Sequence, residues 1–220
     1  MNKSRYLAEF LGTALLLAAI TGSGIMGDTL SENNNGIALL GNSIATGAAL
    51  YVLITLLMPI SGAHFNPLVS LLEWSNKKLK TNELIKYFFC QFFGAIFGVM
   101  LCHFIFALPI LQESTTARTG INYYLSEMIS TLILLSVIYF GVKNDKKQIP
   151  MLVALTVTAG YWFTSSTFFA NPAVTIARSL TNTFVGIQSS DVIGFIIAQF
   201  IAAFIFIAIT KSKSKSKKQS

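Results

Sequence analysis

The sequence predicts an all-α membrane protein with six transmembrane helices and two re-entrant half-helices, built as an inverted repeat. Three observations predict it. The chain is 53% hydrophobic and 11% charged, with mean hydropathy +0.63, whereas a soluble domain carries roughly 25% charged residues. Its apolar runs have the ~20-residue length that crosses a bilayer. Two Asn-Pro dipeptides, Asn66-Pro67 and Asn171-Pro172, interrupt that apolar background at matching places in the two halves.

The apolar runs place spans near 6–27, 38–59, 83–107, 122–142, 150–168 and 191–210. Residues 1–24 have a basic start and an apolar run like a signal peptide, but Glu9 interrupts the run and the topology needs a first span. Asn is a favoured helix N-cap and Pro is favoured at the first helical position. The dipeptides therefore start short helices near 66–75 and 171–182, each about half a bilayer long. Gly94 with Gly98, and Gly194 with Ala198 and Ala202, have the small-residue spacing of close helix packing. Cys90 and Cys102 share one span and read as packing residues rather than a disulfide or metal pair. His103 reads as a packing or lipid-interface residue, and the many Phe as core and lipid-facing surface. Residues 211–220 form a solvated Lys/Ser tail suited to anionic lipid.

The halves repeat. Ala8-Glu9-Phe10-Leu11-Gly12-Thr13 matches Ser126-Glu127-Met128-Ile129-Ser130-Thr131, and Gln91-Phe92-Phe93-Gly94-Ala95 matches Gln199-Phe200-Ile201-Ala202-Ala203. With an odd number of spans in each half, the repeats enter the membrane in opposite senses and share a site near the midplane. The organisation expected is one transmembrane domain over 1–210, with repeat one about 1–107 and repeat two about 122–210, then the basic tail. The net charge of +7 follows topology rather than a nucleic-acid footprint. Lys3, Arg5, Lys77, Lys78, Lys80, Lys86, Lys143, Lys146, Lys147 and the terminal lysines fall on one side, which puts both termini in the cytoplasm. The sequence offers no nucleophile–base pair and no metal-ligand cluster, so neither an enzyme nor a cofactor is expected.

A helix that starts inside a bilayer leaves free N–H groups and a positive dipole end there. Such backbone is tolerated only where protein buries it or where it lines a water-filled cavity. The paired motifs thus predict a pore with Asn66 and Asn171 at its midplane. Glu9 and Glu127 are carboxylates within spans, costly unless partnered.

Taken together, these residues resemble the major intrinsic protein family, the aquaporins and aquaglyceroporins. The likeness rests on Glu9 and Glu127, on the loop Ser61-Gly62-Ala63-His64-Phe65-Asn66-Pro67, on Asn171-Pro172-Ala173, and on Gln91 and Gln199, and it covers essentially the whole chain. A bacterial branch linked to arsenic handling is similar in Gly41-Asn42-Ser43-Ile44-Ala45-Thr46-Gly47 and in the run from Asn171 to Leu180. The resemblance implies a homotetramer with one pore per subunit in the cell membrane, the inner membrane of a bacterium. It implies that Glu9, Glu127, Gln91 and Gln199 support the half-helices.

The same resemblance, counted from the Asn anchors, assigns a selectivity filter to Thr46, Ala159, Phe168 and Val174. Val174 stands where most members carry Arg, and Thr46 and Ala159 are small. His64, Leu68 and Arg178 are assigned to the pore lining or vestibule. Leu68 replaces a usual Ala, and its extra carbons either shift the half-helices or narrow the midplane, or are taken up as a compensated packing change. Arg178 lies one helical turn beyond Val174 and either restores part of the missing charge or bonds loop carbonyls. His64 is either a structural hydrogen-bonding group or a gate.

A wide, uncharged filter suits small neutral solutes: glycerol-like polyols, urea, and undissociated metalloid hydroxides such as arsenous acid, with some water passing. The alternatives are a water-selective channel, a proton-coupled secondary transporter using Glu9 or Glu127, and a structural membrane protein with an occluded pore.

Overall fold

A chain in lipid has to satisfy its own backbone N–H and C=O groups, which is why the long apolar runs fold as helices. The computed structural model describes residues 3–32 and 34–216. Its helices are α1 (Lys3–Leu30), α2 (Asn35–Ser61), α3 (Pro67–Ser75), α4 (Thr81–Ile105), α5 (Ile121–Asn144), α6 (Ile149–Phe163), α7 (Pro172–Arg178) and α8 (Ser189–Ser216), with a 3-10 turn at Lys146–Gln148. Helices α1, α2, α4, α5 and α8 are each long and apolar enough to cross a membrane. The half-helices α3 and α7 begin at the two prolines, as the Asn-Pro motifs predict.

Two boundaries differ from the sequence reading. The fifth span was expected to reach residue 168, but α6 stops at Phe163. There the Thr164 hydroxyl donates back to the Gly160 carbonyl at 2.6 Å, and Thr167, Phe168 and Ala170 all take left-handed backbone. Hydropathy reads that turn as span because its residues stay apolar. The sixth span was expected to end near residue 210, and α8 continues helical through Ser216. Residues 217–220 of the tail lie outside the described residues.

The packing obeys the repeat. Helix α1 packs on α2 and α4, and its counterpart α5 packs on α6 and α8. Half-helices α3 and α7 both pack against α4 and α8, each most heavily against α4. Each half-helix therefore touches the last span of both repeats, which closes the two halves into one bundle. The α1–α4 contact is set by backbone approach: a Cβ on Gly94 would lie 2.4 Å from the Phe10 carbonyl oxygen, and one on Gly98 would lie 2.1 Å from that of Ala14. Gly194 serves α8 similarly, its missing Cβ leaving room for the Tyr124 ring at 2.5 Å.

A side chain at Gly98 must push α1 from α4. Gly98→Leu is expected to destabilise the purified protein by about 1–3 kcal/mol or more. Gly41→Ala, with open space at its Cβ, should leave it unchanged. Thermal unfolding in detergent, followed by size-exclusion chromatography, checks both.

Candidate functional site

The site is built from two short loops that mirror each other. Helix α2 ends at Gly62, whose φ of 96° a residue with a Cβ would resist and whose N–H bonds the Met58 carbonyl. Ala63 (φ 51°) and Phe65 (φ 48°) then hold left-handed backbone, as do Phe168 (φ 56°) and Ala170 (φ 44°) in the second loop. Each pair sits at the same two positions before its Asn. This turns two consecutive N–H groups toward a buried carboxylate. Glu9 accepts from the His64 N–H at 3.0 Å and the Phe65 N–H at 2.8 Å. Glu127 accepts from the Phe169 N–H at 3.1 Å and the Ala170 N–H at 2.8 Å.

Both carboxylates have a second tether. Gln91 Nε2 donates to Glu9 at 2.8 Å and to the Ser70 hydroxyl of α3 at 2.9 Å. Gln199 Nε2 donates to Glu127 at 2.6 Å and to the Thr175 hydroxyl of α7 at 2.9 Å. Ser61 adds a bond to Glu9 at 2.6 Å. Left-handed backbone costs about 1–2 kcal/mol per residue. A hydrogen bond to a charged group contributes about 1.5–3 kcal/mol. The carboxylate bonds are therefore enough to hold the loops in a shape the backbone alone disfavours.

The loops bring Asn66 and Asn171 face to face. Each caps its own half-helix through Oδ1, Asn66 on the Leu68 N–H and Asn171 on the Ala173 and Val174 N–H groups. Each also donates from Nδ2 across the repeat axis, Asn66 to the Ala170 carbonyl at 2.8 Å and Asn171 to the Phe65 carbonyl at 2.9 Å. An amide nitrogen carries two hydrogens, so one donor on each Asn is left, and both residues line the same cavity.

That cavity, about 290 Å³, extends from Lys78 and Lys146 past both Asn side chains to Thr46 and Arg178. One wall consists of apolar stripes at one-turn spacing: Leu50, Ile54 and Met58 on α2, Leu134, Ile138 and Val142 on α5, and Ile149, Val153 and Val157 on α6. The other wall is the two re-entrant loops. Lys78, Lys146 and Glu73 lie at one end, with Lys78 paired to Glu73 at 3.1 Å. Thr46, Tyr161, Phe168, Val174 and Arg178 lie toward the other.

Three of the four residues expected at the filter, Thr46, Phe168 and Val174, line this cavity. The fourth does not. Ala159 is exposed on the outer face of α6 and is absent from the lining. Helical geometry explains the error, because Val153, Val157 and Tyr161 share the inward stripe and a residue two positions away points elsewhere. Tyr161 lines the cavity instead, its hydroxyl 3.3 Å from that of Thr46. Leu68 is a second correction. It was assigned to the pore, but it is fully buried in the cluster with Leu72, Leu135 and Ala203 and is absent from the lining. The extra carbons therefore fill core rather than the cavity.

His64 lines the cavity and holds the Ser70 hydroxyl at 2.9 Å. Arg178 lines it too, with Nε on the Val185 carbonyl and its guanidinium carbon 3.6 Å from the Phe169 ring centre. His103 is not an interfacial residue. It is fully buried, with Nδ1 donating to the Ile110 carbonyl and Nε2 against the Thr181 hydroxyl, both at 2.8 Å. The sequence reading also passed over Tyr161, Phe169 and Arg118. The inward stripe of α6 would have found Tyr161, but nothing local marks Arg118, whose partners are distant in sequence.

A membrane-crossing bundle with a lined passage between paired half-helices is the architecture of a channel. The family model described as major intrinsic protein matches residues 1–170. Aquaglyceroporin AqpS of Rhizobium meliloti is 47% identical over 207 residues, covering 94% of this chain and 88% of that protein. A probable aquaporin, AqpM of Archaeoglobus fulgidus, is 31% identical and covers 94% of this chain and 97% of its own. The solved structure of the aquaglyceroporin from Plasmodium falciparum superposes with a TM-score of 0.71 at 22% identity, covering 94% and 95% of the two chains, and shares the fold. The chain belongs to the major intrinsic protein family, membrane channels for small solutes.

The lining makes a direct test. Cysteine placed at Val174 or Tyr161 should react with a water-soluble thiol reagent and block flux, whereas Ala159→Cys, outside the lumen, should leave flux unblocked by the same reagent. The native Cys90 and Cys102 are off the cavity, so the unmodified protein should be insensitive.

Proposed function

We propose that this chain is a passive channel for small uncharged solutes such as glycerol-like polyols, urea and undissociated metalloid hydroxides including arsenous acid, with some water passing. The observation that carries this reading is Val174 on the cavity wall. An apolar residue there neither narrows the passage with a long side chain nor demands a fixed hydrogen-bond pattern of the solute. Thr46 and Tyr161 supply hydroxyls, Phe168 an apolar face, and Asn66 and Asn171 the midplane donors. Filter duty belongs in this proposal to Thr46, Tyr161, Phe168 and Val174. The positive ends of α3 and α7 oppose cations at the midplane.

The water-selective alternative needed Leu68 to close the midplane, and its burial off the lumen removes that basis. A proton-coupled transporter needs a carboxylate open to the passage, but Glu9 and Glu127 are fully buried behind the loops and absent from the lining. Passive flux is therefore the better reading. The Rhizobium relative is an aquaglyceroporin, which agrees with solutes larger than water. In this proposal the 1–210 region acts as one channel domain, both termini are cytoplasmic, the basic end of the cavity faces the cytoplasm, and four copies assemble in the cell membrane.

Stopped-flow light scattering on proteoliposomes tests the reading. Glycerol and water should both pass with little temperature dependence, and Val174→Arg should cut glycerol flux more than water flux. Equal losses would remove Val174 from the filter, and water flux without glycerol flux would favour the water-selective alternative.

A further inference from the structure

Arg118, in the loop between α4 and α5, is 8% exposed, and charged side chains are rarely so buried unless paired. The ion pairs among the described residues, Arg5–Glu83 and Lys78–Glu73, do not include it. Nor does it line the lumen. Its backbone is fixed by the first turn of α8, where Asp191 accepts the Arg118 N–H and the Thr119 hydroxyl, both at 2.7 Å. The side chain spends its donors on two carbonyls, Nε on Gly186 at 2.9 Å and Nη1 on Ser166 at 3.3 Å.

Those carbonyls belong to the two segments that carry the proposed filter. Ser166 lies in the turn after α6, two residues before Phe168 on the lumen wall. Phe168 packs directly on α6, since a Cβ on Gly160 would lie 2.2 Å from its ring. Gly186 lies in the loop after α7, and that loop holds the last residue of α7 on both sides of Gly186. Val185 accepts from Arg178 Nε, and the Ile187 N–H bonds the Arg178 carbonyl at 3.2 Å. Arg178 and Val174, one turn apart on α7, both line the lumen. Gly186 has little room to shift, because a Cβ there would lie 2.2 Å from the Ser114 hydroxyl and 2.6 Å from the Thr181 carbonyl oxygen. The Phe169 ring lies against both guanidinium groups, its centre 5.1 Å from that of Arg118 and 3.6 Å from that of Arg178.

We propose that Arg118 is a positioning residue for the selectivity filter, bracing the α6–α7 turn against the α7–α8 loop and so setting the width between Phe168 and the Val174–Arg178 face of α7. The proposal rests on the filter reading above and names a residue outside the lumen that sets its size limit. A guanidinium presents its donors in a rigid planar fork, which fixes the separation of two acceptors as a single ammonium does not. Without the fork the two segments are no longer tied to one point and can move apart. The same α4–α5 loop has a second tie that reaches neither filter segment's bridging carbonyl: Thr115 donates its N–H and its hydroxyl to Asn182 Oδ1 at 3.1 and 3.0 Å.

The ratio of erythritol to glycerol flux into proteoliposomes tests this, with water flux and size-exclusion elution confirming folded channels. Arg118→Gln should raise the ratio about threefold or more, the scale of one lost hydrogen bond. Arg118→Lys keeps the charge but not the fork and should raise it too, whereas Thr115→Ala should leave it at the wild-type value. An unchanged or lower ratio in Arg118→Gln overturns the proposal. A wild-type ratio in Arg118→Lys overturns it as well, because charge rather than the bridge would then be at work, and an equal rise in Thr115→Ala overturns the assignment to Arg118. Val174→Arg in the same series separates the two readings. If it leaves the glycerol-to-water ratio unchanged, the filter reading itself fails; if it responds while the Arg118 variants do not, only the bracing role is lost.

Discussion

Two buried carboxylates hold the structure's working parts in place. Glu9 and Glu127 each bind two successive backbone N–H groups of a re-entrant loop. Those loops contain non-glycine residues in left-handed conformation, which they would not adopt unaided. With the loops fixed, the half-helices start beside each other and Asn66 and Asn171 can reach across to each other's loop. Gln91 and Gln199 tie the same carboxylates to hydroxyls on α3 and α7, so loop and half-helix are fastened to one point. A carboxylate inside a membrane is expensive, and here its charge is met by backbone and amide donors rather than by a basic side chain.

This arrangement separates support from conduction. The charged groups that hold the loops lie behind them, and the face turned to the passage presents neutral amides on one side and aliphatic stripes on the other. A solute therefore meets few fixed partners until it reaches the ends. Each end carries cations: Lys78 and Lys146 at one, Arg178 at the other. Lys78 is paired with Glu73, whereas Arg178 relies on a carbonyl and an aromatic ring.

Much of this was legible in the sequence. The membrane spans follow from length and hydropathy, and the half-helices from Asn-Pro, because capping and proline geometry are local properties. Glu9, Glu127, Gln91 and Gln199 stood out because polar groups are conspicuous in apolar runs. What could not be read locally went wrong. Ala159 was placed by counting back from Asn171, but the left-handed turn between Phe163 and Asn171 breaks helical register, so spacing along the chain no longer reports which face of α6 looks inward. Leu68 was judged by chemistry at a motif position, while its direction depends on tertiary packing against α5 and α8. Arg118 gains meaning only when the fold brings Gly186, Ser166 and Phe169 around it.

Backbone hydrogen exchange in lipid nanodiscs tests the carboxylate anchor most directly. The N–H groups of residues 64–65 and 169–170 border a wet passage, yet the account expects them to exchange as slowly as the cores of α1 and α4. In Glu9→Ala the first pair should become fast while the second stays slow. Rapid exchange of both pairs in the unmodified protein, or no change in Glu9→Ala, would contradict the claim that the carboxylates hold the loops.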